Sequence, residues 1–260
     1  MGLLTGRVAV VTGGNQGIGL AIARAMAADG AAVAICARTE SSLDEAAAGI
    51  RAAGGECVPV VCDVADPESA DAMAKTVVTT LGVPNVVVAN AGIAGAIRPM
   101  HELTYDEWRE CLAIDLDGVY LTFRRLIPGM IERGSGSLIA LSSMTGKRPL
   151  PDRTPYGAAK MGVIGLVRSL ALELGPHGIT VNSVCPGAVA GARLDRVVAQ
   201  QAEALGISVE ESLRRFSDPA ALKRPTSPDE VAAACVFLAS DGGSGVTGED
   251  MNVSAGLVMY

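Results

Sequence analysis

Strand-length stretches rich in valine, isoleucine and alanine alternate with helix-period stretches along nearly the whole chain. This rhythm limits the fold more than any other feature. The apolar runs lie near residues 7–11, 31–37, 56–61, 85–89, 136–141, 178–184 and 249–253. Each is nearly continuous, as a strand buried on both faces should be. Helices are expected in the gaps, and the alternation reads as a doubly wound parallel sheet of about seven strands. Helix starts are marked by Asp66-Pro67, and by Thr104 to Glu107, Ser208 to Glu211 and Ser227 to Glu230, which read as capping boxes. No repeat, low-complexity tract or linker divides the 260 residues. One core can serve a chain of that length, so a single domain is expected.

Hydrophobic residues make up 49% of the chain and charged residues 19%, which excludes a disordered chain. The net charge is −7, from 21 basic and 28 acidic residues. Such a chain gains little from phosphate counterion release, so no nucleic-acid partner is expected. Cys36, Cys57, Cys62, Cys111, Cys185 and Cys235 form no C-x-x-C pair and sit mostly among apolar residues. They read as small packed hydrophobes rather than as a disulfide framework or metal site. His101 and His177 read as surface residues. No apolar run reaches the ~18 residues a membrane span needs, and no leader-like segment opens the chain. A cytoplasmic protein with no membrane association is expected.

The first strand runs into Thr12-Gly13-Gly14-Asn15-Gln16-Gly17-Ile18-Gly19, and a helix follows at once. Glycines here let the backbone approach a pyrophosphate, and the helix start offers N–H groups and partial positive charge. The fold class thus sharpens to a Rossmann-type α/β domain. An acidic residue about 20 positions past such glycines holds a ribose 2′-hydroxyl, whereas an arginine accommodates a 2′-phosphate. The second strand ends Ile35-Cys36-Ala37-Arg38-Thr39, with the acid missing. NADP(H) is therefore expected as the preferred cofactor, with NAD(H) the alternative.

Residues 188–226 break the rhythm, with helical patterns near 192–205 and 208–216. The segment leaves the carboxyl end of a strand, where ligands bind, and reads as a substrate lid. The helix from about Tyr156 to Leu174 is apolar almost all round, so a second subunit is expected to cover one face, giving a homo-oligomer, dimer or tetramer.

Taken in order, Thr12 to Gly19, Asp63-Val64, Asn90-Ala91-Gly92, Ser143, Tyr156-Gly157-Ala158-Ala159-Lys160 and Pro186-Gly187 resemble the short-chain dehydrogenase/reductase family across essentially the whole chain. The resemblance implies hydride transfer between a nicotinamide and a small carbonyl or alcohol. Its chemistry has a physical basis. Free tyrosine, losing its proton near pH ~10, is a poor base at neutral pH. Lys160 follows Tyr156 by four residues, on the same helix face, and a nearby ammonium favours the phenolate. By resemblance, Lys160 also holds the nicotinamide ribose, and Ser143 polarises the substrate carbonyl, with Ser142 the rival. Gly13, Asn15, Gln16, Gly17, Ile18, Gly19, Arg38 and Thr39 form the phosphate end of the cofactor site. Asp63 and Val64 look like the adenine-side pair, and Asn90, Ala91 and Gly92 like the strand end beside the cofactor. Pro186, Gly187 and Val189 look like the nicotinamide turn. No metal is implied.

Three positions depart from the family pattern. Asp115 stands where an asparagine usually shapes the proton relay, and adds charge near Lys160. No hydroxyl follows Pro186-Gly187 closely. Leu172 replaces an arginine that similar fatty-acid-synthesis ketoreductases carry, which argues against an acyl-carrier-protein partner. Among the loop charges Lys147, Arg148 and Arg153, one could meet an anionic group of the substrate, or all could be exposed. The leading expectation is a 3-oxoacyl-reductase-like carbonyl reductase or alcohol dehydrogenase. An NAD(H)-dependent polyol or cyclic-alcohol dehydrogenase and a non-catalytic NADP(H)-binding sensor are the alternatives. An epimerase of the extended relatives is disfavoured by the glycine spacing.

Overall fold

The computed structural model describes residues 2–260. Strands β1 (Val8–Thr12), β2 (Ala32–Ala37) and β3 (Glu56–Val61) alternate with helices α1 (Gly17–Ala28), α2 (Glu40–Ala52) and α3 (Pro67–Leu81). Strand β4 (Val86–Ala89) leads to α4 (Tyr105–Leu112), α5 (Gly118–Arg124) and α6 (Ile127–Arg133). Strand β5 (Gly136–Leu141), the short helix α7 (Met144–Lys147) and the long helix α8 (Thr154–Leu174) follow. Strand β6 (Ile179–Pro186), α9 (Ala192–Leu205), α10 (Val209–Ser217), α11 (Pro228–Ala239) and β7 (Asp250–Val253) complete the chain. The sheet order is β3-β2-β1-β4-β5-β6-β7, with every neighbouring pair parallel.

Alternate strand residues serve opposite faces, which is why the apolar runs are continuous. Val11, Val88 and Ile139 pack with Ile22 and Met26 of α1, Leu43 of α2 and Cys235 of α11. Val10, Val87 and Leu138 face Met73 of α3, Phe123 of α5 and Val163 and Val167 of α8. Each such side chain, fully buried, contributes roughly 1.5–3 kcal/mol of transfer free energy. All six cysteines are buried and free.

Asp66 accepts the Glu68 N–H at 3.1 Å before Pro67. Thr104 with Glu107 and Ser227 with Glu230 form complete capping boxes. The third expected box is only half made: Ser208 accepts the Glu211 N–H at 3.0 Å, but Glu211 does not return the bond. Its carboxylate reaches Arg215 instead. Between α4 and α5 the chain makes one π turn, Ala113–Asp117. Such a wide turn is rare and often accompanies a functional site. No described helix is long and apolar enough to cross a membrane.

Candidate active site

Strand β1 lies between β2 and β4, so the chain's course across the sheet reverses there and opens a crevice at the carboxyl ends of the strands. Gln16 precedes α1 in extended backbone with no side-chain cap, and the first turn carries no acid. The leading N–H groups of Ile18 and Gly19 thus lack helical acceptors. At Gly17, φ is +54°, and a Cβ there would meet nothing within 4 Å. The loop is therefore open above its backbone. Asn90 ties it to β4: its Nδ2 donates to Thr12 O at 2.8 Å and Gly13 O at 3.3 Å. Thr12 Oγ1 accepts the N–H groups of Asn90 and Ala91 at 3.0 and 3.2 Å.

Asn15 Nδ2 donates to Ser42 Oγ at 2.9 Å, and Ser42 donates to Thr39 O. This joins the glycine loop to the end of β2, where Arg38 and Thr39 are exposed. Among the described residues Arg38 forms no salt bridge. After β3, Asp63 Oδ1 accepts the Ala65 N–H at 3.0 Å, and Val64 is buried. At the far side, Gly187 N–H donates to Val253 O after Pro186 ends β6. Val189 bridges Thr226 in parallel register through Ala190 N–H and Ala188 O. Neither bond uses the N–H or C=O of Val189 itself.

Tyr156 and Lys160 lie one turn apart on α8, both buried. The Lys160 ammonium is 5.6 Å from the centroid of the Tyr156 ring. It donates to Leu141 O at 3.0 Å and pairs with Asp115 Oδ1 at 3.3 Å. Asp115, fully buried on the π turn, also accepts the Ile93 N–H at 3.1 Å and the Cys111 thiol at 3.5 Å. Burial and then the Asp115 charge push the Cys111 thiol up to about 12, so it stays a donor. A Cβ on Gly92 would lie 2.4 Å from Asp115 Oδ1, so only glycine fits beside this pair.

The two candidate serines are told apart by their partners. Ser142 donates to Lys160 O at 2.8 Å, which fastens the end of β5 to α8. Ser143 accepts the Thr145 N–H at 3.1 Å as the cap of α7, leaving its hydroxyl proton unassigned.

The three loop charges separate in the same way. Lys147, partly buried, pairs with Asp250 at 2.7 Å, so it is not available to a substrate. Arg148 is exposed. Arg153 is different: its guanidinium lies 4.7 Å from the Tyr156 ring centroid, so the phenol sits between two cations. In the sequence Arg153 is one of three loop charges. Its position three residues before Tyr156, on the same helix face as Lys160, was the available signal.

An open, mainly apolar groove of about 600 Å3 between α1 and α11, lined by Leu3, Ala25, Val236 and Phe237, shares no residue with this crevice. Among the described residues no His, Cys, Asp and Glu cluster could hold a metal.

The sequence and fold were compared with those of known proteins. A family model described as Enoyl-(Acyl carrier protein) reductase matches residues 13–258. A 3-oxoacyl-[acyl-carrier-protein] reductase from Synechocystis is 34% identical, with all of both chains covered. A cis-4-hydroxycyclohexanecarboxylate dehydrogenase from Sinomonas cyclohexanicum is 38% identical over 96% of each chain. The crystal structure of a variant actinorhodin polyketide ketoreductase with NADPH superposes with a TM-score of 0.94, at 35% identity and full coverage of both chains. A family-wide match, relatives of this identity and the reversal of strand order beside a glycine loop agree: the chain belongs to the short-chain dehydrogenase/reductase family and is an oxidoreductase.

Proposed function

We propose that the protein interconverts a small ketone and its secondary alcohol, with NADP(H) as hydride carrier. The observation that carries this reading is the Lys160 ammonium, 5.6 Å from the Tyr156 ring with only two of its protons committed inside the protein. The open backbone over Gly17, the uncapped start of α1 and the unpaired Arg38 suit a dinucleotide carrying a 2′-phosphate. Gly13, Asn15, Gln16, Ile18, Gly19 and Thr39 would line its phosphate end. Asp63, Val64, Asn90, Ala91 and Gly92 would line its middle, and Pro186, Gly187 and Val189 its nicotinamide end.

Bound there, the nicotinamide supplies or accepts the hydride. Tyr156 gives its phenolic proton to the carbonyl oxygen in reduction and takes it back in oxidation. Lys160 favours the phenolate and holds a ribose hydroxyl. Ser143 donates its free proton to the carbonyl oxygen and orients it. Asp115 holds Lys160 in place. Residues 188–226 form the lid, a helical hairpin of α9 and α10 joined by Ser212 Oγ donating to Val198 O at 2.9 Å. Exposed Met161 and Leu172 on α8 and Tyr120 on α5 form the face through which copies pair, as a dimer or tetramer. The names of the relatives support a ketone or secondary alcohol as the reacting group, and the NADPH in the neighbour's crystal supports the cofactor. The hydroxycyclohexane relative keeps an NAD(H)-dependent cyclic-alcohol dehydrogenase as the second reading.

Tyr156→Phe should lower turnover of any ketone by about 10²–10⁴, followed as nicotinamide absorbance, while cofactor affinity holds. Retained turnover removes the mechanism. Arg38→Asp should weaken NADPH binding by roughly tenfold or more and NADH binding far less. Equal losses favour the second reading.

A further inference from the structure

Arg153 is the one described residue with a buried side-chain polar atom lacking any hydrogen-bond partner, its Nε. Of its five N–H donors, one nitrogen reaches Ala94 O at 3.2 Å. No carboxylate pairs with it. Burial disfavours its charge most; Tyr156 favours it, Arg193 on α9 disfavours it, and Cys111 and Asp115 favour it more weakly. Asp115 forms no salt bridge with it, being bonded to Lys160, Ile93 and Cys111.

Position adds to the cost. Arg153 is the N-cap residue of α8, and Arg193 is the second residue of α9. Cations at helix starts oppose the macrodipole. Arg153 thus lies against Tyr156 on the helix carrying the phenol, the exposed Arg193 of the hairpin is near enough for the two charges to repel, and neither arginine forms a salt bridge. A half-buried guanidinium with an idle donor is costly by itself and favourable against a carboxylate, whose two oxygens match its fork.

We propose that Arg153, with Arg193, forms an anion subsite for a carboxylate on the substrate, making this an oxidoreductase of oxo- and hydroxy-carboxylic acids. The inference rests on the reading of Tyr156 as the proton donor to the reacting carbonyl. The charged end of the molecule anchors on the guanidinium, and its carbonyl falls to Tyr156 on the adjoining turn. The anchor changes no bond.

The test uses a graded series, 3-oxobutanoate, 4-oxopentanoate and 5-oxohexanoate, each beside its neutral methyl ester. With NADPH, at least one acid should exceed its ester in kcat/KM by roughly ten- to hundredfold, the range of a charge-assisted hydrogen bond. In Arg153→Gln that acid-to-ester ratio should collapse toward one, and Arg193→Gln should reduce it less. A merely structural Arg153 would lower acid and ester together and leave the ratio intact, which overturns the proposal. Esters used as well as acids by the wild type also overturn it, while leaving the oxidoreductase reading standing. Calorimetric titration of pentanoate, which has no carbonyl, into the NADP+-loaded protein gives a separate readout. Binding to the wild type and not to Arg153→Gln, with no ketone turned over, sustains the subsite and removes the ketone reading. Pentanoate binding unaffected by Arg153→Gln sinks the subsite.

Discussion

Two ion-paired lysines, 13 residues apart, Lys160 buried and Lys147 partly so, have opposite fates. Lys147 spends all three ammonium protons on the fold: Asp250 O at 3.2 Å, Asn252 Oδ1 at 3.1 Å and Asp250 Oδ2 at 2.7 Å. Arg168 braces the same Asp250 from α8 at 2.8 Å. Lys160 spends two, on Leu141 O and Asp115, and keeps one beside Tyr156. Both cations are paired and largely shielded from solvent, so burial and pairing do not separate Lys147 from the lysine proposed to act on Tyr156. The count of uncommitted donors does.

The comparison can be broken most severely at Lys160. Lys160→Met should lower turnover by about 10³ or more, as loss of a group acting on the proton-transfer step does. Lys147→Met should change kcat by less than about threefold, measured where both variants are folded, and cost about 2–3 kcal/mol in urea unfolding. Similar activity losses for both would erase the distinction.

Asp250→Asn comes next and should cost about 2–3 kcal/mol at neutral pH, because it leaves the partly buried Lys147 ammonium without its countercharge. Burial works against the Asp250 charge, but the Lys147 and Arg168 bonds outweigh it and hold the carboxyl below its usual range. A depressed carboxyl contributes stability that is fully present above about pH 4 and lost as pH falls through the lower folded value. Urea midpoints of wild type and Asp250→Asn should therefore converge below about pH 4. A gap that persists there contradicts the pairing.

The smallest effect is at Asp115. Asp115→Asn keeps the shape but removes the anion that offsets Lys160, so the phenolate is favoured more strongly. Alcohol oxidation at pH 7 should rise about three- to tenfold, read by NADPH formation. A fall would mean that the aspartate charge itself serves the proton path.

Much of this was legible in the sequence, and the remainder had physical reasons to be hidden. The strands showed because both faces are buried, as with Val10 and Val11. The starts of β3 and β5 fall where the pattern puts them and the other five one residue later; at β1 and β2, Arg7 and Ala31 bond into turns, to Leu4 O and Met26 O. Strand β6 runs past the expected 184 to Pro186, since Cys185 and Pro186 still pair with Asn252 and Val253 of β7. Tyr156 and Lys160 showed through the family resemblance, with their helical spacing in support. Ser143 was named by resemblance with Ser142 as its rival, because the bond from Ser142 to Lys160 O is a tertiary contact that local sequence does not show. Lys147, Arg148 and Arg153 looked alike for the same reason. Their partners come from β7, from solvent and from Ala94, none of which local sequence announces.

The Val189–Thr226 bridge carries a further consequence. Thr226 bonds back to Ala188 across 38 residues of chain, so the excursion through α9 and α10 leaves and rejoins the sheet at one clasp. The hairpin can therefore be shortened, lengthened or exchanged for another while its two feet stay where they are. Under the proposed lid role, selectivity for new molecules would be engineered above that clasp without redesigning the strands beneath it.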